Sequence, residues 1–574
     1  MNTRKLYWIL LPLIIFPMAC QTPKYSRTKE KPVIENPDAF SNKTSATKPE
    51  QHKSLGISYF KRGMFDEALE ELELASERMK EDGELHHYLG KAYFENDKLD
   101  KSITELLAAI SYYKPGQIIE KADAYNDLGL AYKGKKVFND SISAFKKSIE
   151  LNPSVANTNY NLGLLYHDEN NLDESITYLK KSIKLDSKEA DSHFALGLAY
   201  HTKKLNEKAI DEFKRAIELN PKDAEAHNYL GLLYFESGDI EGALAKFKSA
   251  IQLNRNYPEA YNNLGIALYT KNNTKEAENT FKKALALEPK FAEAYYNLGL
   301  IYSDKGTYEE AIDSFENAIE LNPKIAEAHF KLGEIYTEKD MISEAISEYE
   351  KAIDTRPAYP EAYYNYGELC AASGNQDKSI SAWKKTIELN SKNTDAYFNL
   401  GIAYYNQGKA DKAISMWNKV IEINPEDRDA LVNLADAYNA KGLTDQAIQT
   451  LEKFIDIYSD DANVFHKLGN AYARKNMHNT AIQQWEKAVE IDPNMANAYY
   501  NLGITYQKVG RNDDAIEALK KFLDINPEDF IAHKNLGILY KEKGMNVEAE
   551  AEFAIYKKLK SSQPQTNTDE KENL

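Results

Sequence analysis

The sequence predicts an all-α fold, an α-solenoid of tandem helix-turn-helix units. Three observations carry that expectation. A glycine, usually in a Leu-Gly pair, recurs every 34 residues from Gly56 to Gly537, with Ala435 filling one position and a longer step of 39 between Gly90 and Gly129. Apolar residues around each glycine repeat at helical spacing. Glycine or asparagine, then proline, punctuates each unit at fixed offsets.

The first helix of a unit is legible in residues 292–325, with Gly299 set as position 8. Positions 4, 7, 8 and 11 hold Tyr295, Leu298, Gly299 and Tyr302. At about 100° per residue these share one face. Position 15 is Gly306 here and Gly63, Gly238, Gly374, Gly408, Gly442, Gly510 and Gly544 elsewhere, with Asn170, Asn272 and Asn476 in other units. Both residue types tolerate the left-handed conformation that closes a helix. The second helix carries Ala311, Phe315 and Ala318 at positions 20, 24 and 27, and proline at position 32 stops it (Pro153, Pro221, Pro289, Pro323).

A 34-residue period with these size-defined positions resembles the tetratricopeptide repeat (TPR) family. The resemblance covers residues 49–563 as fifteen units, with a five-residue insertion near 112–121 expected as a widened loop. It implies a right-handed superhelix, because one unit cannot bury its apolar face alone and neighbours must cover it. It also implies a concave groove lined by the first helices.

The flanks read differently. Arg4 and Lys5 precede "LYWILLPLIIFPMA", too short and too Pro-interrupted for a membrane span, so residues 1–19 are expected to be a signal peptide. The "PMACQ" that follows resembles a bacterial lipobox. That resemblance implies diacylation of Cys20, a membrane lipid anchor and an extracytoplasmic location, with the outer membrane favoured by Gln21. Residues 20–48, rich in Pro, Ser, Thr and Lys, read as a disordered tether, and 564–574 as an acidic disordered tail.

The charge is −17, from 72 Lys plus Arg against 89 Asp plus Glu. An acidic chain without a basic tract argues against nucleic acid as a partner. Two cysteines, Cys20 and Cys370, exclude a disulfide framework. No phosphate-binding, nucleophile-elbow, zinc-protease or Cys-x-x-Cys motif is present, so no catalytic residue, cofactor or metal is assigned. His52, His86, His193, His227, His329 and His533 all stand at position 4 and are read as packed rings. Trp383, Trp417 and Trp485 all stand at position 24 and are read as core.

The face opposite the core suggests a partner. Position 9 is mostly Leu or Ile, and position 5 includes Tyr296, Phe330, Tyr364 and Phe398. Position 6 is asparagine at Asn161, Asn263, Asn297, Asn365, Asn399, Asn433, Asn501 and Asn535. Projection puts all three positions on the exposed arc. An amide offers donors and an acceptor to an extended peptide backbone, or to a neighbouring repeat. The row resembles the asparagine ladder in the TPR region of O-GlcNAc transferase, without a catalytic domain. The expected function is a non-catalytic scaffold binding proteins or peptides of the cell envelope. The alternative is a substrate-presenting subunit of a separately encoded enzyme, such as a glycosyltransferase or a peptidoglycan enzyme. A spacer or self-association module is a third reading.

Overall fold

The computed structural model describes residues 48–562. The segments expected to be signal peptide and tail lie outside them, as do Cys20 and the expected tether up to residue 47. Thirty α-helices fill the described residues and no strand occurs among them. The helices alternate as first and second members of pairs, which is the expected all-α solenoid. The chain divides into two compact units, Met1–Asn322 and Pro323–Leu574.

One pair shows why the sequence folds this way. The first helix, α15 (Ala292–Asp304), has Glu293 in its first turn, where a carboxylate complements the helix dipole. It closes at Gly306 with φ +72. The Gly306 N–H donates to Ser303 O and the Thr307 N–H to Tyr302 O, both at 3.0 Å, a Schellman closure. The same left-handed turn is kept without glycine at Asp97, Lys136, Asn170, Lys204, Asn272, Asp340 and Asn476, with φ between 56 and 60. Position 15 is therefore a conformational requirement that the fold imposes even on lysine.

The second helix, α16 (Tyr308–Leu321), lays Phe315 against α15. A Cβ added to Gly299 would stand 2.7 Å from the Phe315 ring, so the missing side chain sets the distance between the paired helices. The tryptophans do the same job. Trp383, Trp417 and Trp485 are buried, with their indoles beside Gly367, Gly401 and Gly469. Cys370 is buried and free, and burial pushes its thiol pKa up.

The insertion differs from expectation. Instead of a widened loop, most of it is helical: α5 (Ile118–Gly134) has 17 residues where α15 has 13. The added turn begins Ile118-Ile119, and both side chains are exposed. A loop would have left more backbone groups without partners, and starting the helix one turn earlier satisfies them.

Gly299→Ala is expected to destabilise the unit around α15 by about 1–3 kcal/mol through overpacking against Phe315. Hydrogen exchange of the α15 and α16 amides would report it. Unchanged protection would show that Phe315 relaxes freely and that the glycine does not set the spacing.

Candidate functional site

The side chains singled out by sequence sit on first helices, and the structure gives most of them inter-repeat partners. Asn297 is 1% exposed. Its Nδ2 donates to Oδ1 of Asn262 at 3.0 Å, on α13 (Pro258–Thr270) of the preceding repeat. Asn161 donates to Asn126 at 3.0 Å and Asn263 to Asn228 at 3.1 Å in the same way. In each pair position 6 of one repeat meets position 5 of the repeat before it.

The second compact unit keeps this geometry with different acceptors. Asn399 Nδ2 donates to Tyr364 Oη at 3.4 Å, and Asn501 to His466 Nε2 at 3.1 Å and Asn470 Oδ1 at 2.9 Å. Asn535 is hydrogen-bonded to Tyr500. Asn365 follows Phe330, which offers no acceptor, and its amide turns instead to Tyr349 Oη at 3.3 Å. Asn433 is half-buried on its helix.

Position 5 also departs from the projection. Tyr296 and Phe330 are buried, not exposed. Tyr296 lies 5.6 Å from the Phe315 ring, and Phe330 lies 5.6 Å from Tyr349 and 5.0 Å from Tyr359. Tyr364 and Phe398 are half-buried. The reason is stacking: a projection treats each helix as isolated, whereas the next first helix covers this arc. Position 9 is mixed. Leu198, Leu232 and Ile266 are buried, Leu130, Leu164, Leu300, Ile504 and Ile538 are half-buried, and Ile402 is 38% exposed.

A second polar row runs along the C-terminal turns of the first helices. Lys133 pairs with Asp168 at 2.8 Å, His167 with Thr202 at 3.1 Å and His201 with Glu236 at 3.3 Å, and Tyr269 donates to Asp304. Each joins position 12 to position 13 of the next repeat. Sequence reasoning missed this row and the position-5 asparagines, although the constant 35-residue separation was available as a signal.

In the second compact unit, acidic residues join the wall. Glu368 stands at position 9 and accepts from Tyr364 Oη at 2.8 Å. Desolvation raises its pKa, and nearby Asp395 adds to the effect. In the first compact unit, Tyr113 and Asp127 flank His87, at 2.9 Å from Nδ1 and 2.8 Å from Nε2 respectively. Burial works to raise the Asp127 pKa, but the His87 hydrogen bond and the charge of Lys91 outweigh it and hold it low.

The position-4 histidines are more than packed rings. His52, His86, His193, His329 and His533 each place Nδ1 2.5–2.7 Å from a glutamate nineteen residues on. His227 is the exception, because Lys246 occupies the glutamate's place. Among the described residues, no group of three or more potential ligands is arranged to hold a metal.

Sequence models described as TPR repeat match residues 165–204, 206–238, 231–272, 267–306, 333–374, 367–408 and 474–510. Models described as tetratricopeptide repeat match 122–155, 292–325, 394–427, 429–461 and 496–529. The chain belongs to the tetratricopeptide repeat family. Proteins built of TPR repeats are typically protein-interaction scaffolds without catalysis of their own. No curated protein matches this TPR chain. Among solved structures, it is similar to MamA, with 30% identity over 28% of this chain and 95% of that one and a TM-score of 0.28. It is also similar to YrrB, described as a TPR protein with an unusual peptide-binding site, with 28% identity over 32% and 95% and a TM-score of 0.28. The Cut9–Hcn1 heterotetramer of APC/C shares 15% identity over 86% and 97%, with a TM-score of 0.35.

The contrast between His86 and His227 gives a titration prediction. The hydrogen bond to Glu105 raises His86 above the usual value near 6.5, whereas burial, with Lys246 adding to it, lowers His227. The stability His86 contributes is fully present below pH 6.5 and is lost as pH rises through its raised folded pKa. The His227 contribution has the opposite sign: it is present above 6.5 and lost as pH falls through the lowered value. NMR titration is expected to order them His86 above His227, with Glu105→Gln lowering His86. The reverse order would contradict the pairing.

Proposed function

We propose that this TPR protein is a non-catalytic scaffold, anchored through an acylated Cys20 in the bacterial envelope and facing away from the cytoplasm. Its first-helix wall binds extended segments of envelope proteins. The observation that carries the binding reading is the half-buried amide row. Asn161 and Asn263 each use one donor on the neighbouring repeat, whereas Asn399 bonds both Tyr364 and Glu368 there and keeps its oxygen as the group to offer. An amide has a second N–H and an acceptor oxygen to offer. Beside Asn399 stands Ile402, an exposed apolar side chain on the same helix face, so polar and apolar contacts to a peptide lie within one turn. The lipobox-like "PMACQ" supports the anchor, and the outer membrane is the favoured membrane.

A photo-crosslinking amino acid at Ile402 is expected to trap a partner in cells, while the same group at exposed Leu185, on a second helix, is not. Asn365→Ala combined with Asn399→Ala should weaken capture about fivefold, roughly 1 kcal/mol, with helicity unchanged. Equal adducts at both sites, or undiminished capture by the double variant, would reject the wall as the binding surface. Mass spectrometry of the mature N-terminus is expected to find acylated Cys20, and a chain retaining residues 1–19 would reject the anchor.

A further inference from the structure

The second helices of five consecutive repeats carry a charge pattern that the acidic chain as a whole does not. These are α6 (Phe138–Leu151), α8 (Leu172–Leu185), α10 (Asn206–Leu219), α12 (Ile240–Leu253) and α14 (Thr274–Leu287), all in the first compact unit. Positions 25 and 26 are Lys146 and Lys147 on α6, Lys180 and Lys181 on α8, and Lys214 and Arg215 on α10, all exposed. Exposed Lys248 on α12 and Lys282 and Lys283 on α14 continue the band. At positions 22, 25, 26 and 29 these helices hold ten Lys or Arg against three Asp or Glu, whereas their exposed first turns carry Asp140, Asp173, Glu174, Glu207, Glu241 and Glu276 against Lys208 and Lys275, so the band lies on the later turns. On the next second helix, α16, the same positions are Asp313, Glu316, Asn317 and Glu320, and the band stops.

Repeat packing does not explain the sign. Position 25 meets the tyrosine at position 11 of the following repeat. Where it is lysine, the ammonium lies over the ring, at 5.9 Å for Lys146 on Tyr166, 5.8 Å for Lys180 on Tyr200 and 5.9 Å for Lys214 on Tyr234. Where it is glutamate, the tyrosine hydroxyl donates to the carboxylate: Tyr93 to Glu73 at 2.5 Å, and likewise Tyr472 to Glu452 and Tyr506 to Glu486. Either charge completes the contact; Lys248 faces Leu268 in place of a tyrosine, and Lys282, besides lying over Tyr302, pairs with Glu278 on its own helix, so the stack itself does not require five successive cations.

We propose that this band docks the protein on an anionic phospholipid surface. Three features favour a bilayer over other polyanions. The cations are nearly all lysine, a hydrated point charge suited to diffuse attraction rather than bidentate recognition. The same positions hold no aromatic residue on which a nucleic-acid base could stack. They also hold no large apolar residue to anchor a folded acidic protein; the exposed leucines of these helices, Leu185, Leu253 and Leu287, are confined to their last residues. Lysines close to a negatively charged leaflet each add attraction that salt screens. The docking does not depend on acylation of Cys20.

Full-length protein is incubated with vesicles of phosphatidylcholine alone, or with about a third phosphatidylglycerol, and co-sedimentation is measured. At low salt, binding to the anionic vesicles is expected to be about tenfold stronger or more, with the excess lost at about 0.5 M salt. The test variant carries K146E, K180E, K214E and K282E. Glutamate is already the natural alternative at this position, so circular dichroism should be unchanged and most of the anionic preference lost. Attachment through the N-terminus, whose Arg4 and Lys5 add an anionic preference of their own, is common to wild type and variant, so the band is read from the difference between the two proteins. Equal binding to both vesicles, a preference undiminished in the variant, or wild-type binding to single-stranded nucleic acid in place of vesicles would overturn the proposal.

Discussion

Every repeat leaves one side of its helix pair open, and the next repeat must close it. That constraint governs the molecule. A single pair buries Phe315 against Gly299, but the arc carrying positions 5, 6, 12 and 13 stays uncovered until another first helix arrives. Apolar area supplies most of the favourable free energy of that closure. Most polar groups caught in it find partners, since a buried amide without one costs about 1–3 kcal/mol, although Asn297 Oδ1 is buried without one.

The residues at the repeat junctions follow from this. Asparagine at position 6 meets asparagine, tyrosine or histidine at position 5, each with an acceptor to offer. Where position 5 is Phe194, position 6 is Tyr229, and the rings meet edge to face at 5.6 Å. Position 25 against the tyrosine at position 11 works with either sign of charge. Junctions of this kind hold the stack while leaving outer atoms and charges to other purposes. For that reason one side chain can belong both to the scaffold and to a proposed binding surface.

Much of the fold was legible in the sequence. The 34-residue ruler, the helix-closing residue at position 15 and the small residue at position 8 are local requirements, and each leaves a residue type behind. Asp97 and Lys136 escaped because a left-handed turn tolerates them at modest cost. The candidate site was less legible. A helical projection separates core from arc for one helix but has no term for the adjacent repeat, so Tyr296, Phe330 and Asn297 were placed on a free surface that the structure covers. The histidine-glutamate pairs span nineteen residues and two helices, a separation that reads as pairing only once the helices are docked. The extra turn of α5 escaped because a five-residue insertion beside "KPG" looks like a loop.

The account rests on position-6 amides stitching consecutive first helices, and a double-mutant cycle on Asn262 and Asn297 tests it most directly. Asn262→Ala, Asn297→Ala and the double variant would be compared by the free energy of opening of α13 and α15, read from hydrogen exchange. A coupling of about 0.5–1.5 kcal/mol is predicted, because either single change leaves a buried amide without its partner. Single effects that add to within about 0.3 kcal/mol would mean the two side chains are merely adjacent, and would contradict the stitching.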